Sequence, residues 1–147
     1  MDGNFVTMTV RAVSLEGGDE FPKVLLRGSG EGSEAALSVP VGPFEASAIL
    51  LELEGISPPR PLTHDLLADL FRESGFDLER AELFGEADLS PRARLIYRHG
   101  RGRRVKEVRP SDALALALRL KAPICAEPAL LSFAAARERN GGLVGLA

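Results

Sequence analysis

Tryptophan is missing from this chain, tyrosine occurs once, and aromatics make up only 5% of the 147 residues. Surfaces that hold nucleic acid by stacking its bases need several such rings, so the composition argues against a base-stacking platform. A single cysteine, Cys125, excludes an internal disulfide, and its flanks PICAE offer no second ligand of the kind zinc needs. The expectation is a small buried strand residue in a reducing compartment. No segment approaches the roughly 18 apolar residues of a membrane span, and MDGNFVTMTV shows no basic stretch followed by an apolar run. The expected setting is the cytoplasm, without a membrane partner. An excess of basic charge is missing too: 18 Lys+Arg against 21 Asp+Glu give a net charge of -3 and a pI near 5.5. Nucleic acid would meet no global basic field, and any attraction must be local. P-loop, GxGxxG, HExxH and GxSxG signatures are all absent.

What is present describes a folded domain. Apolar residues at 45% and charged residues at 27% fit a soluble globular chain with a core of useful size. FVTMTVRAVSL partly alternates and reads as a strand, and FPKVLLR and EAALSVPVG flank GSGEGS as a hairpin. GPFEASAILLELEG reads as a helix from Pro43 to a stop at Gly55, burying Ala46, Ile49, Leu50 and Leu53. THDLLADLFRESG reads as a second helix, with Thr63 as N-cap, Gly75 as terminator and Leu66, Leu67, Leu70 and Phe71 as core face. DLERAELFGE, SPRARLIYRHG and RGRRVKEVR read as three strands. PSDALALALRLKA is a third helix capped by Ser111, apolar almost all round and therefore buried, and PICAEP a short strand. PALLSFAAARER is expected to form a terminal helix. The fold class is mixed α/β (α+β): one domain over residues 1–136, with hairpin-containing β-sheets packed against three or four helices, and a loose tail at 137–147.

Two blocks, RPLTHDLL and RPSDALAL, place Arg-Pro, a hydroxyl and an acid ahead of an apolar run. Glu45, Asp65 and Asp112 each fall in the first turn of a helix, where unpaired N–H groups and the dipole favour acids by about 0.3–1 kcal/mol. They can serve as caps or as catalytic carboxylates. Asp65 projects nearly opposite the leucine stripe of its helix, and His64 lies at the edge of that stripe. Arg60 and Arg109, held extended by the prolines that follow, can bind phosphate beside the helix starts or pair with a nearby acid. Asp112 and Arg119 form the only polar seam of the third helix, which must face solvent, a partner subunit or the other Arg-Pro block. That seam suggests a homo-oligomer, most simply a dimer. Eight of the 18 Lys+Arg fall between residues 92 and 109, including Arg98, Arg101, Arg103 and Arg104. Such a hairpin can track a phosphate backbone, or can be a solvated edge guarded against pairing.

The segments VPVGPFEASAILLELEG, RPLTHDLL and RPSDALALALRLKAPI, in this order, resemble the bifunctional nuclease domain family over roughly residues 5 to 134. The resemblance implies hydrolysis of phosphodiester bonds in DNA and RNA with little sequence preference. Its motif residues here are Glu45, Arg60, Thr63, His64, Asp65, Arg109, Ser111 and Asp112. On that basis His64, Asp65, Asp112 and Glu45 are the candidate catalytic residues. Arg60, Arg109, Thr63 and Ser111 are the candidate phosphate ligands, and Arg98, Arg101, Arg103 and Arg104 the candidate nucleic-acid contacts. His64 would activate water directly, or Glu45, Asp65 and Asp112 would hold a Mg²⁺ or Mn²⁺ that does so. The chain departs from many relatives at GPFEA, where a polar or charged residue often precedes the Glu, which alters the rim of the site. The competing expectation is a regulatory, scaffold or small-anion-binding module that keeps the same fold.

Overall fold

The computed structural model describes residues 4–15, 21–86 and 90–132. Alternation in VTMTVRAVS forms strand β1 (Val6–Ser14), which turns Met8 and Val10 to the core and Thr7 and Thr9 outward. Strands β2 (Lys23–Gly28) and β3 (Ala36–Pro40) form the expected hairpin, with Lys23 opposite Pro40 and Arg27 opposite Ala36. After helix α1 (Pro43–Leu53) and helix α2 (Thr63–Glu73) come β4 (Phe76–Phe84), β5 (Arg92–His99) and β6 (Gly102–Val108). Helix α3 (Pro110–Leu120) leads to the short β7 (Ile124–Ala126).

The seven strands form one sheet in the order β3-β2-β1-β7-β4-β5-β6. It consists of two antiparallel meanders bridged by β7, which runs antiparallel to β1 and parallel to β4. β7 must therefore be buried from every side; Ile124, Cys125 and Ala126 are, and the Cys125 thiol donates to the Ala81 carbonyl. The crossover from β6 carries α3 back over the sheet, where it packs against α1, α2, β4 and β5. That position explains its composition: Ala113, Leu114, Ala115, Leu116 and Ala117 have almost no exposed surface. Among the described residues no helix is long and apolar enough to cross a membrane.

Four local expectations change. Helix α2 turns Leu66, Leu67 and Leu70 largely to solvent, and its inward face is His64, Asp65, Ala68 and Phe71. Phe71 packs on Phe76 and Tyr97, at centroid distances of 5.3 and 5.9 Å. The cause lies on α3, where the buried Arg119 guanidinium needs the carboxylate of Asp65. Leaving such a charge unpaired costs about 3–5 kcal/mol. Half-exposing three leucines forfeits roughly 1 kcal/mol each, so the ion pair sets the rotation.

Thr63 is the first helical residue of α2, not its cap. Leu62 occupies the cap position, and its backbone N–H donates to Asp65 Oδ2 at 2.9 Å. Ser111 likewise lies inside α3, whose cap position is Arg109 followed by Pro110. Of the expected terminal helix, only a single 3-10 turn, Pro128–Leu130, falls within the described residues, and Leu131 is extended. Ser132 then bridges Ala36, so the chain has already left helical geometry. The remainder of that helix and the 137–147 tail lie outside the described residues. The glycine stops hold: Gly55 and Gly75 adopt φ of 71° and 77°, a left-handed region a side chain disfavours.

Candidate functional site

Three helix starts converge. A cleft of about 470 Å³ is lined by Phe44, Glu45, Ser47 and Ala48 from α1, Leu62, Thr63 and His64 around the start of α2, and Arg109 and Asp112 at the start of α3. Helices α1 and α3 begin with a proline, and α2 follows the Pro-rich segment 58–61. The fold thereby brings Arg109, the cap residue of α3, to the first-turn Glu45 of α1, 64 positions away in sequence.

Asp112 is the hub. Its Oδ1 meets His64 Nε2 at 2.9 Å, while Arg109 clamps it with Nε to Oδ2 at 2.8 Å and Nη2 to Oδ1 at 3.0 Å. Arg109 Nη2 also reaches Glu45 Oε2 at 3.4 Å. Burial pushes the Asp112 carboxyl up, but the hydrogen bonds and positive charge from Arg109, together with those of His64, outweigh it and hold the group below the ordinary carboxylate range. Asp112 is therefore a carboxylate at neutral pH, placed to orient the imidazole. Among the described residues nothing accepts from Arg109 Nη1, so two N–H donors of an exposed guanidinium stay open.

Asp65 takes no part in this cleft. Its Oδ1 accepts from Arg119 Nε at 2.6 Å and its Oδ2 from the Leu62 N–H. Arg119, only 7% exposed, also donates to the Ala115 and Ala48 carbonyls at 3.0 Å each. Arg72 reaches across to the Arg119 carbonyl at 2.8 Å. Burial raises the Asp65 carboxyl, yet the Leu62 N–H and Arg119 pull it below its usual value. The pair locks α1, α2 and α3 together behind the cleft. The Asp112–Arg119 seam thus faces the other Arg-Pro block, one of the three orientations that its sequence leaves open.

The remaining candidates are spread out. Thr63 lines the first cleft, and Ser111 lines a second, of about 350 Å³, with Phe21, Pro40, Val41, Gly42, Ser90, Arg109 and Pro110. Arg109 is therefore the ridge between two clefts. Arg60 sits on an exposed bend, lines neither cleft and has no ion-pair partner among the described residues. In the basic hairpin, Arg98 and Arg103 both pair with Glu79, and Arg94 pairs with the buried Glu82, as does Arg80 of β4. Arg92 makes a forked pair with Glu107, at 2.8 Å through both nitrogens. Arg101 and Arg104 meet no acid among the described residues. The 7-residue strand β6 separates the hairpin tip from Arg109. At about 3.3 Å per residue, that is roughly 20 Å.

Two functional-site features escaped the reading of the sequence. Phe44, 87% exposed, stands on the rim of the first cleft, and Phe21, 64% exposed, on the rim of the second. Phe44 carried a signal, since it is an aromatic residue standing directly before the motif Glu45. The second feature is Gly42, where a Cβ would stand 2.2 Å from Glu45 Oε1. Its bare backbone gives the Glu45 carboxylate the room that brings it to Arg109.

The three carboxylates proposed for a divalent cation are engaged by arginines in this structure. Glu45 and Asp112 share Arg109, Asp65 belongs to Arg119, and among the described residues no three His, Cys, Asp or Glu side chains come within reach of one ion.

The family model described as the bifunctional nuclease domain matches residues 24–139, a span that includes all three helix starts. Two proteins from two strains of Mycobacterium tuberculosis, each described as uncharacterized, are 37% identical to the chain over 124 residues. The alignment covers 84% of this chain and 72% of each relative.

Proposed function

Since the chain belongs to the bifunctional nuclease domain family, we propose that it hydrolyses phosphodiester bonds of DNA and RNA at the cleft where α1, α2 and α3 begin. The observation that carries this reading is the 2.9 Å contact between His64 Nε2 and Asp112 Oδ1, which joins residues 48 positions apart into a base and its orienting carboxylate. With the Nε2 proton donated to Asp112, Nδ1 holds the lone pair that takes a proton from water. The hydroxide formed attacks phosphorus, the bond to the leaving sugar oxygen breaks, and the proton held on the imidazole is returned to that oxygen, which restores the base. Arg109, held by Asp112 and Glu45, offers its Nη1 donors to the charge that develops on the phosphate oxygens. No step passes through a metal, because the carboxylates are committed to arginines.

A scaffold role is favoured by one observation: Asp65, central to the motif, is engaged wholly in holding helices together. The two readings separate in one experiment. Purified protein is assayed on single- and double-stranded DNA and RNA, with and without EDTA, alongside His64→Ala and Asp65→Asn. The nuclease reading expects activity that survives EDTA, a loss of about 10²–10⁴-fold in His64→Ala, and most of the activity retained in folded Asp65→Asn. Equal cleavage by wild type and His64→Ala would assign the activity to a contaminant.

A further inference from the structure

We infer that the second cleft is a nucleotide subsite, holding a phosphate against the start of α3 and an unpaired base on Phe21. This deepens, and rests on, the nuclease reading of the neighbouring cleft.

Helix α3 spans 11 residues and no side chain caps its start. Pro110 has no N–H to offer and the Ala113 N–H is taken by the Arg109 carbonyl, so the donors left for a ligand are those of Ser111 and Asp112. A second observation points to the same place. Ser111 is only 6% exposed, lines the cleft, and its hydroxyl has no hydrogen-bond partner among the described residues. A buried hydroxyl left unpaired is costly, and a phosphate oxygen in the cleft would satisfy it together with the helix N–H groups.

Charge separates the two clefts. In the first, Arg109 is engaged by both Glu45 and Asp112, which leaves only its Nη1 donors for a phosphate. In the second, Arg109 is the only charged side chain among the described lining residues. In the same cleft the Phe21 ring lies mostly bare, and base–aromatic stacking needs a base released from its pair. Few aromatics are needed when two of them, Phe21 and Phe44, flank Arg109 from the two clefts. A single strand crossing Arg109 meets a ring on each side, whereas the bases of a duplex remain stacked within it.

The test is binding to the full chain, followed by the backbone amide resonances of Ser111 and Asp112. Inorganic phosphate should shift both amides saturably, and Ser111→Ala should weaken that binding about tenfold. Phe21→Ala should weaken a mononucleotide about fivefold or more, and more than it weakens inorganic phosphate. A single-stranded oligonucleotide should bind more tightly than a duplex of the same length. Absent or non-saturable shifts, or unchanged phosphate affinity in Ser111→Ala, would overturn the phosphate site. Unchanged mononucleotide affinity in Phe21→Ala, or preference for duplex, would overturn the base site. Saturable shifts without any hydrolysis would sink the nuclease reading alone, and hydrolysis without shifts would sink the subsite alone.

Discussion

Asp65 and Asp112 occupy equivalent places in two similar blocks, yet the residues around them assign different work. Asp112 turns to an imidazole and an exposed arginine on the wall of a cleft, and Asp65 to an arginine with almost no access to water. Asp65→Asn should therefore cost stability, about 3 kcal/mol by chemical denaturation at pH 7, because it strands the buried Arg119 charge. The pH dependence follows from the lowered carboxyl of Asp65. A carboxyl with a depressed folded value stabilises the fold above its ordinary value of 3.8 and loses that contribution as pH falls through the lower folded value. The stability gap between wild type and Asp65→Asn should accordingly be widest at neutral pH and close below 3.8. A gap that stays constant down to the acid transition would count against the pair. Both acids were visible in the sequence as helix-start residues. Which of them faces the cleft was not, since only Arg119 and His64, each brought in from another helix, distinguish the two.

At the scale of elements, the helix starts act together because each is pinned by a feature of its own segment. Gly42, at the cap of α1, is one such feature, and its φ of -73° is open to any residue. Gly42→Ala should therefore fold with little loss, while its methyl group displaces the Glu45 carboxylate from Arg109. The expected result is a Tm close to wild type with altered cleavage, because Arg109 loses one of its two acids. Unchanged activity would remove Glu45 from the site. The helices themselves could be read from proline starts, glycine stops and apolar spacing. The rotation of α2 could not, because its hydrophobic stripe pointed inward on any helical wheel. A buried guanidinium on a different helix outweighed three half-buried leucines, and no local pattern records that competition.

For the molecule as a whole, charge shows how far local counting can mislead. Residues 92–109 contain Glu107 as their only acid, yet strand β4 lies alongside and sets Glu79 and Glu82 against four of the arginines in and beside that hairpin. Arg101 and Arg104 are left without an acid among the described residues, at roughly 26 and 16 Å from Arg109 along the strand. Arg101→Gln with Arg104→Gln should lower the salt dependence of binding to a long strand by about two phosphate contacts and leave a mononucleotide unaffected. An unchanged salt slope would exclude the hairpin from the interface. The mixed α+β class, the strand blocks, the first three helix blocks and the burial of the third helix were determined by the sequence alone, because hydrophobic period and turn chemistry are local properties of the chain. The tertiary structure decided which charges cancel, which of two matching aspartates faces a cleft, and that Arg109 stands between two clefts. Those outcomes depend on distances between segments dozens of residues apart, and such distances exist only once the sheet has brought the segments together.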